Sequence, residues 1–172
     1  MNRLMLICTA VAVATGCTPA EPASAPAVTV AVSTPVPPPA GPSRCPVTRP
    51  SRTGPPGVSP ESFFGASSSY GNGRFWVGGL GPGGVIRAIG ADTIGAGPIR
   101  MKLGWWRSAE GRLRITGRRL DGRAPALTGS VPAGYGDRGF QSSAVTFPAE
   151  GCWRVTGVAG TAVLTFVTYV TR

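Results

Sequence analysis

The sequence contains no histidine, one lysine (Lys102) and only seven acidic residues in 172. The missing histidine excludes His-based catalytic triads and His-ligated metal sites. A Ser/Lys pair would have only Lys102 to draw on, and no serine stands at a diagnostic spacing from it. Long amphipathic helices are also missing: no window of ten or more residues free of Gly and Pro carries a 3.6-residue apolar stripe. No nucleotide-binding fingerprint survives inspection either. "GLGPGG" at 79–84 satisfies G-x-G-x-x-G, but Pro82 interrupts it and no helix pattern follows, so it reads as a turn.

What is abundant is glycine (26), proline (18) and arginine, giving a formal charge of +10. Gly and Pro oppose helix interiors and favour turns between short strands. The length suits one domain with a real core. The charge points to an anionic partner such as a membrane surface or an acidic wall polymer, although Ala, Gly, Pro and Arg are enriched together, as a biased codon composition also produces. Nucleic acid is not expected: the arginines are scattered and no aromatic residues interleave with them.

The first residues, "MNRLMLICTAVAVATGC", place one cation at Arg3 before an apolar run that ends in small residues, the layout of a signal peptide. A helix of that run rises about 20 Å, short of a ~30 Å hydrocarbon core. "ATGC", Ala14 to Cys17, resembles the lipobox of bacterial lipoproteins, with Ala14 where that family usually has Leu. The resemblance implies acylation at Cys17 and membrane anchoring outside the cytoplasm. Ordinary secretory cleavage after "AVA" (12–14) is the alternative. Residues 17–60 are dominated by Pro, Ala, Ser and Thr and read as an extended, disordered tether.

Four cysteines are present. Cys8 falls in the signal segment and Cys17 in the lipobox, which leaves Cys45 and Cys152. In an oxidising compartment these form a disulfide by default, and closing a loop of about 100 residues is worth roughly 4–5 kcal/mol in the chain-entropy model. In "GCWRVTG" (151–157), Trp153 and Val155 share one face of a strand, while Cys152, Arg154 and Thr156 share the other. With the tryptophan inside, the bridge to "CPVT" (45–48) straps an outer face. A reactive thiol, the competing reading, would need a polarising partner that the missing histidine does not supply.

From Phe63 onward, apolar runs recur between Gly, Pro and Asp punctuation: 74–79, 84–89, 99–107, 111–120, 125–131, 139–148, 152–157 and 161–170. This is strand spacing. "LDG" (120–122) and "GVAG" (157–160) read as hairpin-type turns. The expectation is an all-β, two-sheet antiparallel sandwich over 61–172, immunoglobulin-like in architecture. The succession "GWWR", "ITGRRLDGRAPAL", "GYGDRGFQSS", "FPAEGCWRVTG" and "LTFVTYV", with the "CPVT" cysteine, resembles a family of small extracytoplasmic bacterial proteins, often lipoproteins, of uncharacterised function. The resemblance covers about residues 45–172. It implies an exported β-domain with this cysteine pair and no catalytic residues.

Candidate ligand-binding residues are of two kinds. Trp105 and Trp106 are adjacent, so one faces the core and the other the opposite surface, where with Tyr135 and Trp76 it would form a stacking platform. Arg112, Arg114, Arg118 and Arg119, with Arg123, offer guanidinium forks suited to phosphate or carboxylate. No metal site and no cofactor is expected. The functional expectation is a non-catalytic binding or structural module of the cell envelope, held by a lipid anchor or else secreted, whose partner is an anionic envelope polymer or an envelope protein. An envelope hydrolase is the alternative, drawing paired carboxylates from Asp92, Glu110, Asp121, Asp137 and Glu150.

Overall fold

Among the described residues, nine strands build the fold, and local alternation of apolar and polar residues sets most of them. They are β1 (Tyr70–Gly71), β2 (Phe75–Gly78), β3 (Val85–Arg87), β4 (Ile99–Arg107), β5 (Arg114–Arg119), β6 (Thr128–Ser130), β7 (Gly139–Phe147), β8 (Gly151–Ala159) and β9 (Ala162–Thr171). The computed structural model describes residues 41–51, 54–59, 62–63, 68–88 and 97–172. The signal segment, Cys17, most of the tether and Asp92 lie outside the described residues. No described helix is long and apolar enough to cross a membrane.

The strands form two sheets, ordered β1-β2-β4-β7-β6 and β3-β9-β8-β5. All eight sequence-predicted strands are present. β1 escaped because it is two residues long, set in a polar stretch and defined by its hairpin with β2. That turn is made by Asn72, whose side-chain Oδ1 accepts the backbone N–H groups of Arg74 (3.3 Å) and Phe75 (3.0 Å).

Two local details depart from the sequence reading. The "LDG" turn does not join a hairpin: β5 pairs with β8, whereas β6 pairs with β7 in the other sheet. Turn chemistry bends the chain but does not dictate which sheet the next strand joins. The second departure is that β3 runs parallel to β9. No short turn links these two strands, so nothing local imposes the antiparallel sense. The order also differs from the ABED and CFG sheets of immunoglobulin domains, and only the two-sheet sandwich is shared. "GVAG" does lead into a hairpin, but only Gly160 lies in the turn: Gly157 to Ala159 belong to β8, which pairs antiparallel with β9 up to Ala159 and Ala162.

Inward-facing residues of both sheets merge into one core. Phe75, Val77, Leu103, Trp105, Val145 and Phe147 come from the first sheet, and Trp153, Val155, Leu164, Phe166 and Val170 from the second. Two aromatic bridges cross the interior: Trp105 touches Phe166 (6.2 Å between centroids) and Phe147 meets Trp153 edge-on (5.6 Å). Space for the Trp105 ring comes from Gly157 on β8, where any Cβ would collide with it.

The disulfide joins Cys45 to Cys152 with a Cα–Cα distance of 5.5 Å. It lies outside this core, in a separate buried cluster with Tyr169, flanked by Val47, Val85, Leu120 and Val167. Alternation on β8 explains the separation: Trp153 and Val155 are fully buried between the sheets, so Cys152 turns to the outer face. The strap continues past the bridge. Thr48 donates its N–H to the Val167 carbonyl (2.8 Å) and accepts the Val167 N–H on Oγ1 (3.0 Å), and Ser51 bridges to Ser69.

Candidate functional site

The sequence-predicted candidates divide between the two outer faces of the sandwich, with two residues lost to the interior. On the second sheet, alternation along β5 turns Arg114, Thr116 and Arg118 outward while Ile115 is buried. The register then aligns them with outward residues of β8: Arg114 opposite Val158, Thr116 opposite Thr156, and Arg118 opposite Arg154. Thr156 in turn shares a hydroxyl–hydroxyl hydrogen bond of 3.0 Å with Thr165 on β9. Arg112, just before β5, is exposed at the head of the same row.

This surface is concave in two places. A shallow depression of about 280 Å³ lies between Thr116, Arg118, Arg154 and Thr156, and one of about 500 Å³ is lined by Arg112, Arg114, Thr116 and Val158. Among the described residues, ion pairs join Arg119 to Asp121, Arg138 to Glu110 and Arg172 to Glu150. None involves Arg112, Arg114, Arg118 or Arg154. The face therefore presents cations beside hydroxyl groups, and the three ion-paired carboxylates among the described residues are engaged with other arginines.

Arg119 does not belong to it. Parity along β5 turns it to the inner side, where its Nε donates to Asp121 Oδ1 at 2.7 Å, and both side chains are almost fully buried. The guanidinium is committed to a structural ion pair and is not available to a ligand.

Trp105 is likewise excluded as a binding residue. It is fully buried, and its Nε1–H donates to Ser143 Oγ at 3.0 Å. Trp106 is the outward member of the pair. It stands opposite Trp76 on β2 and Phe140 on β7, so three aromatic side chains cross the outer face of the first sheet in one row. Trp76 lies over Gly71, where no side chain would fit. Phe63 is buried and meets Phe140 edge-on at 6.2 Å, and Tyr135 does the same from the β6–β7 loop. Part of the expected platform is thus covered by the chain itself, leaving Phe140 and Tyr135 about 40% exposed.

Sequence reasoning passed over Arg107, which is only 2% exposed. It ends β4 on the inner side, two residues after Trp105, and donates through Nη1 to the Gly111 carbonyl and through Nη2 to the Gly136 carbonyl (2.6 Å). One guanidinium thus ties the β4–β5 loop to the β6–β7 loop. Burial pulls its pKa below the ordinary arginine value, and the negative charge of Asp137 acts the other way. The signal that could have found it is parity: Leu103, Trp105 and Arg107 share a face.

The four described carboxylates offered for hydrolysis are dispersed among arginines. Glu110, Asp121 and Glu150 each hold an ion pair, and Asp137 lines a cleft with Arg107, on which its charge acts. Among the described residues, no three His, Cys, Asp or Glu side chains group as metal ligands. No family model, curated protein or solved structure matches the chain.

Proposed function

We propose that the protein is a non-catalytic binding module of the cell envelope, anchored through an acylated Cys17 or else secreted, and that the β5–β8 face holds an anionic envelope polymer. The observation that carries this reading is Arg118 directly opposite Arg154, extended by Arg114 and Arg112, with no ion pair to any described carboxylate. Like charges facing each other across a sheet are unfavourable in the free protein. A polyanion laid along the row relieves that repulsion, and each planar guanidinium takes a phosphate or carboxylate through two parallel hydrogen bonds. The hydroxyls of Thr116, Thr156 and Thr165 add neutral donors between the charges.

The test is a titration of the full-length protein with poly(glycerol phosphate), with neutral dextran as control, at low and high salt. Binding should weaken steeply as salt screens the row, because the contacts are exposed. The Arg118→Ala, Arg154→Ala double variant should lose most of the affinity. Affinity indifferent to both salt and the double variant sinks the proposal.

A further inference from the structure

The end of the sandwich under the β6–β7 loop carries a second, chemically different site, and we infer that it binds the acetamido group of an N-acetylated amino sugar. The cleft holds about 390 Å³, and its lining includes Arg107, Asp137, Gln141, Val131, Pro132 and Tyr135, within the size range of small-ligand sites. Two residues of its lining each bury a polar atom that has no hydrogen-bond partner: the Nε of Arg107 and the Oε1 of Gln141. Their residues are 2% and 6% exposed. Leaving such groups unpaired costs stability, so each deserves a partner.

The pair specifies the chemistry. Arg107 Nε–H is a donor and Gln141 Oε1 an acceptor, so the complementary group must bring one acceptor and one donor together. A carboxylate or phosphate supplies acceptors only and would face the Gln141 oxygen. An ammonium supplies donors only and would leave the Arg107 Nε–H without an acceptor. A secondary amide has both, with its carbonyl for Arg107 and its N–H for Gln141. Arg107 asks little further counter-charge from the ligand, because Asp137 lines the same cleft and its negative charge acts on the guanidinium.

The remaining walls favour a sugar as the carrier of that amide. Tyr135 is 38% exposed and is held edge-on to Phe140 at 6.2 Å, which presents an aromatic surface at the cleft. Such a surface suits the C–H face of a pyranose. Val131 and Pro132 offer apolar contact for the acetamido methyl. This site meets the β5–β8 arginine row at Arg112, which lines both depressions, but it draws on different observations, the two unpaired atoms of Arg107 and Gln141.

The experiment uses the full-length protein and three oligosaccharide probes: N-acetylchitotriose, its de-acetylated glucosamine trimer and a galacturonate trimer. Expected are saturable binding of the acetylated trimer alone and a shift of the Arg107 Nε–H resonance on titration. Gln141→Met, which keeps the volume and removes the acceptor, should weaken binding about ten-fold while leaving the thermal midpoint unchanged or higher. That combination separates a ligand contact from a structural one. Equal binding of the de-acetylated trimer, preference for galacturonate, an unmoved Arg107 signal at millimolar acetylated sugar, or unaltered affinity in Gln141→Met each overturns the inference.

Discussion

Arg118 on β5 stands directly opposite Arg154 on β8, and both point to solvent on a face whose described residues hold no ion-paired carboxylate. Opposed like charges on neighbouring strands cost roughly 0.2–1 kcal/mol. Replacing Arg118 with Thr, a strand-compatible residue that continues the Thr116 pattern, is therefore expected to raise stability by a few tenths of a kcal/mol. The same change should weaken poly(glycerol phosphate) binding. Urea unfolding and a binding titration on one sample check both signs. A variant that loses stability and keeps its affinity would contradict the reading of the row.

The Cys45–Cys152 bridge, whose ends are 107 positions apart, ties the strap to the outer face of the second sheet. Its removal by Cys152→Ser should cost about 2–5 kcal/mol, the usual range for a native disulfide in a small extracellular domain. The loss should be local first. Thr48 and Val167 exchange two hydrogen bonds at the end of the strap, so their amides should gain hydrogen exchange well before those of Trp153 and Val155. Uniform acceleration throughout both sheets would show instead that the strap and core open as one unit.

Buried charge makes a sharper test at Arg119 and Asp121, whose side chains are 9% and 7% exposed and 2.7 Å apart. Asp121→Ala strands a guanidinium beside Gly151, at a cost of about 3–5 kcal/mol for breaking a buried pair. The double replacement Arg119→Met, Asp121→Ala removes both charges and should recover a large part of that loss. If the double variant is less stable than Asp121→Ala alone, the ion pair is not what the site depends on.

Much of this architecture was legible because strand alternation is a local property. The sequence "CWRV" places Trp153 and Val155 on one face and Cys152 and Arg154 on the other, and the structure keeps that division. Adjacent tryptophans were different. Alternation says that Trp105 and Trp106 part ways, but which one enters the core depends on Gly157, more than fifty residues away on the facing sheet. Arginine is mostly found exposed, which hides Arg107 and puts Arg119 among the candidate binding residues; parity, which puts Arg107 with Trp105 and Arg119 with Ile115, is the better guide. The cleft at the sandwich end was out of reach of sequence reasoning. Gln141, Gly111 and Gly136 meet there only through strand register and two loops fastened by one buried guanidinium.

The contact between Trp105 and Gly157 can be tested as a unit. Adding one methyl by Gly157→Ala drives a Cβ into the indole from the opposite sheet, and overpacking of this kind costs about 1–3 kcal/mol. Trp105→Phe leaves a cavity and removes the indole N–H that donates to Ser143, although Ser143 Oγ still bonds the Leu103 carbonyl at 3.2 Å. Combining the two places the new methyl in the space vacated by the larger ring. The double variant should therefore be more stable than the sum of the single losses implies, by about 0.5–3 kcal/mol of coupling in a double-mutant cycle. Urea unfolding of the four proteins measures it. Simple additivity would mean that the indole can move aside without cost, and that the glycine is not what positions Trp105 between the sheets.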